Sequence, residues 1–248
     1  MTPTPPSAVV VDLAPTGKLR AAINFGNPVL AGKDETTGEA GGLSVDLARE
    51  LARRLGVAVE LVPYDAAGKV VDALKSHAWD ICFLAIDPVR GAHISFTAPY
   101  AVIEGVYAVA DDSPIRSNAE IDRAGTRVGV IVGSAYDLFL SRELKHATIV
   151  RAATAGAVME LWVEGKLDVV AGVKPQLEAE ARRVPGLRLL PGRFMAINQA
   201  MGTPRGREAG AKYLYDFIDE MKVSGFVAET FARNGIDGAT IAPAGAPR

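Results

Sequence analysis

GLSVDLARELARRLGVAVELVPYDAAGKVVDALKSHAWDICFLAIDPVR, residues 42–90, switches its hydrophobic period from segment to segment. Leu47, Ala48, Leu51, Ala52 and Leu55 recur at helical spacing, and Gly56 then stops the helix. Val57 to Val62 is a short β-branched run of strand length, Gly68 to His77 returns to helical spacing, and Trp79 to Ile86 is an apolar strand closed by Asp87-Pro88. Upstream, Leu19 to Asn24 reads as a first strand, and the glycine-rich turn segment from Gly32 to Gly42 separates it from the helix. The whole is a βαβαβ unit, so the fold class is α/β with sheets flanked by helices.

The same alternation begins again after the polar stretch Asp111 to Asn118. Arg127 to Val132 is a strand that runs through Gly133 into a helix near Ser134, and Ala147–Arg151, Thr154–Glu164, Leu167–Ala171 and Pro175–Arg182 continue it. After Pro185-Gly186, strands near Leu187–Leu190 and Met195–Met201 lead into helices at Arg207–Met221 and Ser224–Asn234. Residues 1–16 and 236–248 carry no sustained periodicity and are expected to be loose. Two similar α/β units with loop-rich strand ends suggest a ligand held in the crevice between them.

Composition narrows the function. The chain has 248 residues, 49% of them hydrophobic and 23% charged, with a net charge of −2, which is enough apolar material for a core and too little positive charge for a nucleic-acid surface. Cys82, the lone cysteine, lies in the apolar run Ile81–Leu84 and reads as a buried, inert thiol. His77, His93 and His146 show no metal-ligand spacing, so neither a metal nor another cofactor is expected. The Pro-rich start, MTPTPPSAVVVDLAPTGKLR, lacks the basic n-region of a secretory signal.

The block WDICFLAIDPVRGAHISFTAPY, Trp79 to Tyr100, resembles the family 3 extracellular solute-binding proteins of bacterial ABC importers, with the strand, turn, Arg90 and Phe96 in the family's order. The Arg90-to-Phe96 spacing is kept, while the segment Asp80 to Arg90 is shorter than the common family form. GLSVDLARELARRLGVAVELVPYD, TRVGVIVGSAYDLFL, EGKLDVVAGVKPQLEAEA and FIDEMKVSGFVAETFAR are similar to further segments of that family, in the same order, over roughly residues 17 to 235. The resemblance implies a two-lobed periplasmic-binding-protein type 2 fold, with lobe one at 17–103 plus 198–235 and lobe two at 104–197. Hinges are implied at Val102, Ile103 and Glu104 and on the return near Asn198.

The implied ligand residues are Arg90, Asn24, Phe25, Asn27, Tyr64, Lys69 and Ala85 in lobe one, and Ser134, Ala135, Tyr136, Val173 and Lys174 in lobe two. Arg90 has the donor fork that suits a carboxylate. Ser134 opens a helix, where backbone N–H groups attract an anion, and it also reads as an ordinary N-cap. Asn24 and Asn27 are either readers of ligand polar groups or turn residues. The family's stacking aromatic near Gly68-Lys69 is missing; Tyr64 is a substitute wall, and Lys69 reads equally as an exposed helix lysine. Amino-acid-binding members place an aspartate after the lobe-two strand to hold an ammonium, whereas this chain reads Gly172-Val173-Lys174, which favours a carboxylate or other anion, with Glu104 at the implied hinge as the alternative acidic partner for an ammonium.

The leading function is therefore a monomeric, non-enzymatic solute-binding protein that closes around a small polar or anionic ligand and delivers it to ABC-importer membrane subunits. It would act in the periplasm after loss of a signal, with the cytoplasm as the alternative. The other readings are a cyclohexadienyl-dehydratase-like enzyme using Glu104 as its acid, and a cytoplasmic sensor.

Overall fold

The computed structural model describes residues 5–34 and 36–243. The chain divides into two compact units, one made of the residues up to Val102 and from Asn198 onward, the other of Ile103–Ile197.

In the first unit, β1 (Lys18–Asn24) lies between β4 (Ala58–Tyr64) and β5 (Ile81–Ala85), and both pairings are parallel. The small ribbon β2 (Gly32–Lys33) and β3 (Ala40–Gly41) and the helix α2 (Leu43–Leu55) connect β1 to β4. Leu47, Ala48, Leu51 and Ala52 of α2 are buried, as its periodicity requires, and Gly56 closes it in the left-handed conformation. The crossover to β5 is not a single α-helix over 68–77: α3 (Ala67–Asp72) tightens into a 3₁₀ turn at Ala73–Ser76. A short helix, α4 (Pro88–Gly91), and β6 (Ile94–Phe96) follow. Val70, Trp79, Cys82, Leu84 and Ile94 fill the core, and the Trp79 indole N–H donates to the Val70 carbonyl at 2.9 Å. Burial raises the pKa of the Cys82 thiol well above its ordinary value, which keeps it unreactive.

In the second unit, β7 (Ala101–Ala110) enters from the first and pairs antiparallel with β10 (Val169–Val173), Val173 opposite Gly105. β8 (Arg127–Ile131) lies parallel to β10 and to β9 (Thr148–Ala152), while α5 (Ala135–Glu143), α6 (Ala155–Val163) and α7 (Lys174–Arg183) make the crossovers. β11 (Leu187–Leu189) adds to β7. Val106, Val158, Met159, Leu167, Val170 and Leu177 are the core of this unit. β12 (Met195–Pro204) carries the chain back to the first unit, where it pairs with β5 and β6. There α8 (Glu208–Val223) and α9 (Phe226–Arg233) follow.

The two ends depart from the expected loose segments. Ser7–Leu13 form a helix, α1, whose Val9 and Leu13 are buried, and Leu13 fills the space that a side chain at Gly210 of α8 would take. A short apolar patch, Val9 to Val11, was the sequence trace of this helix, and α8 supplies the surface it needs. Leu13→Ala should therefore cost about 2–5 kcal/mol of stability in urea unfolding, whereas a loose segment would give no change. At the other end, β13 (Ala239–Ile241) joins the first unit: Ala242 N–H donates to the Tyr100 carbonyl at 3.1 Å, and the buried Lys222 ammonium donates to the carbonyls of Pro99 and Pro243. Residues 1–4 and 244–248 of the expected loose ends lie outside the described residues.

Candidate functional site

Because β1, β4 and β5 are parallel, the segments leaving their carboxyl ends share one edge of the first unit. This places Asn24–Asn27, Tyr64–Lys69 and Ala85–Arg90 together. Asn24 and Tyr64 are direct partners in register, and the Phe25 N–H donates to the Tyr64 carbonyl at 2.8 Å. The Asn24 Oδ1 accepts from the Gly26 N–H at 3.0 Å, so Asn24 builds the turn. A Cβ at Gly26 would lie 2.3 Å from the Asp65 carbonyl oxygen, which is why the chain can pass here only as glycine. Asn27 differs from Asn24: its Oδ1 is enclosed and, among the described residues, takes no hydrogen bond. An enclosed acceptor without a donor is costly, by about 1–3 kcal/mol, and a partner N–H would relieve it.

Lys69 pairs with Asp65 at 2.7 Å, both exposed, so the solvated-lysine reading describes it. Phe25 carries the Lys33 ammonium 5.2 Å from its ring centre. Arg90 is not a surface arginine: it is 2% exposed, and its Nη1 donates to the Ala85 carbonyl at 3.0 Å. Loss of hydration lowers its pKa to about 10, with Asp87 acting in the opposite sense, so the guanidinium remains a cation at neutral pH. Asp87 fixes the turn that carries it by accepting the Val89 N–H at 2.8 Å.

In the second unit, β8 and β10 are likewise parallel, so Gly133–Tyr136 and Val173–Lys174 emerge at one edge. β7 runs antiparallel to β10, which brings Glu104 to the same edge. Ser134 caps α5 through its Oγ, which accepts the Asp137 N–H at 3.0 Å, and the Asp137 carboxylate accepts the Gly133 N–H at 2.9 Å. The turn expected to attract an external anion thus already holds one of the chain's own carboxylates, which Arg151 secures at 2.9 Å. Sequence spacing gave no sign of Arg151, because β9 delivers it from a different strand. Tyr136 is buried and borders a small cavity, about 20 Å³ of water-sized space, lined by Ile131, Ala155, Met159, Gly172 and Leu177 among others.

Val173 is buried and Lys174 opens α7 without a capping side chain before it. The Lys174 ammonium lies 3.2 Å from Glu104 Oε2, and Arg193 Nη1 lies 3.5 Å from Glu104 Oε1. Arg193 was not legible in the sequence; it stands in the irregular PGRF stretch, where no periodicity points to a site. Phe194 fixes that stretch by stacking on Tyr107 at 4.3 Å, and its N–H donates to the Gly105 carbonyl at 2.9 Å. Of the expected hinge residues, Val102 ends the first unit, Ile103 and Glu104 open the second, and Asn198 begins the return, its carbonyl accepting the Ile86 N–H at 2.8 Å. Both Glu104 oxygens face cations, the bonding pattern of a counter-ion.

Known structures share this fold. ArgBP from T. maritima, in a mutant form, is 21% identical, with 91% of this chain and 98% of that chain covered and a TM-score of 0.76. A putative binding component of an ABC transporter from Wolinella succinogenes, complexed with lysine, is 23% identical over 88% and 95% of the two chains, TM-score 0.74. The ancestral amino-acid-binding protein AncCDT-1, a precursor of cyclohexadienyl dehydratase, is 21% identical over 90% and 98%, TM-score 0.74. No curated protein matches the sequence at a significant level. These likenesses establish the mixed α/β, periplasmic-binding-protein type 2 fold. The family description "Bacterial extracellular solute-binding proteins, family 3" matches residues 19–235, nearly the whole described chain, and the protein belongs to that family.

Proposed function

We propose that this chain is the substrate-binding component of an ABC importer and that its solute is small, amino-acid-like and carboxylate-bearing. The observation that carries the reading is the edge of the first unit, where parallel strands gather a buried cation, Arg90, and an enclosed acceptor without a donor, the Asn27 Oδ1. A carboxylate answers the first group and a solute N–H the second. The solved relatives with this fold include proteins bound to lysine and to arginine, solutes that carry both groups. Delivery to membrane subunits outside the cytoplasmic membrane belongs to the same proposal. No catalytic role is proposed, because the hinge-proximal acid Glu104 is arranged as a counter-ion.

Thermal unfolding of the full chain against amino acids, their deaminated analogues and simple carboxylates tests this. A solute at a hundred times its Kd should stabilise the folded protein by about 2.7 kcal/mol through mass action and raise the Tm. If no carboxylate-bearing solute shifts the Tm at millimolar concentration, the proposal is wrong.

A further inference from the structure

Glu104 sits between two cations, and the three charges do not balance. Lys174 approaches one of its oxygens and Arg193 the other, which leaves one positive charge in excess. The ordinary reading is an exposed ion pair of little consequence. Three features separate this group from that reading.

The contacts are long and made through single points, at 3.2 and 3.5 Å. The two best-closed pairs of strand-borne arginines in the same unit are tighter: Arg127 grips Asp168 with Nε at 2.9 Å and Nη2 at 2.8 Å, and Arg151 reaches Asp137 at 2.9 Å, while the exposed Arg123–Glu120 pair is also long, at 3.8 Å. Lys174 also stands on the first turn of α7, where the helix dipole disfavours a cation, so local helix energetics give no reason for a lysine there. Finally, the group is built in place and open to solutes. The β7–β10 register sets Glu104 beside Lys174, the Phe194–Tyr107 stack holds the segment that carries Arg193, and the side chains of Glu104, Lys174 and Arg193 are 39%, 42% and 53% exposed.

We propose that Lys174 and Arg193 form an anion subsite of the second unit, in which Glu104 is a resident counter-ion that a solute carboxylate replaces. Resting on the solute-binding reading above, this assigns the solute class: a dicarboxylate or an acidic amino acid, not a basic one. Val173 fits the assignment, since the apolar side chain beside Lys174 adds no carboxylate that would compete for these cations.

Isothermal titration of the full chain with succinate, L-glutamate, L-glutamine and L-arginine tests it. The wild type should bind succinate and L-glutamate more tightly than L-glutamine or L-arginine. Lys174→Gln and Arg193→Gln should each weaken the two acids by about tenfold or more. Glu104→Gln, which removes the internal competitor, should strengthen them. All three are half-exposed positions, and unchanged Tm values of the unliganded variants establish that folding is intact. Preference for L-arginine or L-glutamine in the wild type would overturn the subsite and leave the solute-binding reading standing. Unchanged affinity for the acids in both cation variants, or weaker binding in Glu104→Gln, would also overturn it. Absence of any solute in the thermal screen would instead bring down the solute-binding reading itself.

Discussion

Asp80→Asn is expected to destabilise the protein by about 3–5 kcal/mol, while the matching change in the second unit, Asp168→Asn, costs about 1 kcal/mol. The two aspartates do the same job in the two units. Each precedes the strand next to the one bearing its arginine, and each accepts both the backbone N–H and the guanidinium of that arginine, Arg20 for Asp80 and Arg127 for Asp168. The return bond is repeated as well, since the Asp80 and Asp168 N–H groups donate to the Arg20 and Arg127 carbonyls at 2.8 and 3.0 Å.

Surroundings decide the difference. The Asp80 side chain is 0% exposed and holds a second arginine, Arg207, at 2.9 Å, whereas that of Asp168 is 39% exposed. Removing the charge of Asp80 leaves two largely buried guanidinium groups facing a neutral amide. Water can solvate Arg127 when Asp168 is changed. Urea unfolding followed by circular dichroism measures both, and equal losses for the two variants would disprove the argument. For Asp168 the hydrogen bond from Arg127 holds the carboxyl below its usual range. Its contribution is accordingly present above the ordinary carboxylate pKa of about 4 and fades as pH falls through the depressed folded value.

Arg90→Met is expected to abolish high-affinity solute binding, with the solute that gives the largest thermal shift losing at least about 100-fold in Kd. A guanidinium contributes charge-assisted hydrogen bonds worth about 1.5–3 kcal/mol each, and a carboxylate can take two of them. Stability should change far less than binding. Methionine refills most of the volume, and replacing a buried charge with an apolar group of similar size is often close to neutral, although Asp87 then stands 4% exposed beside an uncharged neighbour. Arg90→Lys separates charge from shape: it keeps the cation, loses the planar fork, and should recover only part of the affinity. Calorimetric titration gives the affinities and thermal unfolding the stabilities. Full affinity in Arg90→Met would remove Arg90 from the site.

Much of this protein was legible from residue order. The period changes across residues 42–90 fixed strand, helix and strand, because burying one face of a helix or both faces of a parallel strand demands those patterns whatever the neighbours are. The family resemblance grouped Asn24, Tyr64 and Arg90, and the parallel strands, whose carboxyl-end segments share an edge, supply the physical reason they lie together. The ordered run of similar segments over roughly residues 17 to 235, with the block holding Arg90 and Phe96 as its strongest match, carried the family.

Contacts made between distant segments were decided only by the tertiary structure. Val9 and Leu13 form a helix because α8 offers them a surface with a glycine at Gly210, which a short apolar patch in a Pro-rich segment cannot announce. The Gly133 N–H of the α5 turn is taken because Asp137 folds back onto it and Arg151 arrives from β9. Arg193 reaches Glu104 because an aromatic stack sets the path of an irregular loop. In each case the deciding energy is electrostatic or packing, acts over a few ångströms, and depends on which segments meet; a linear pattern encodes which residues are buried, not which charge will stand opposite them.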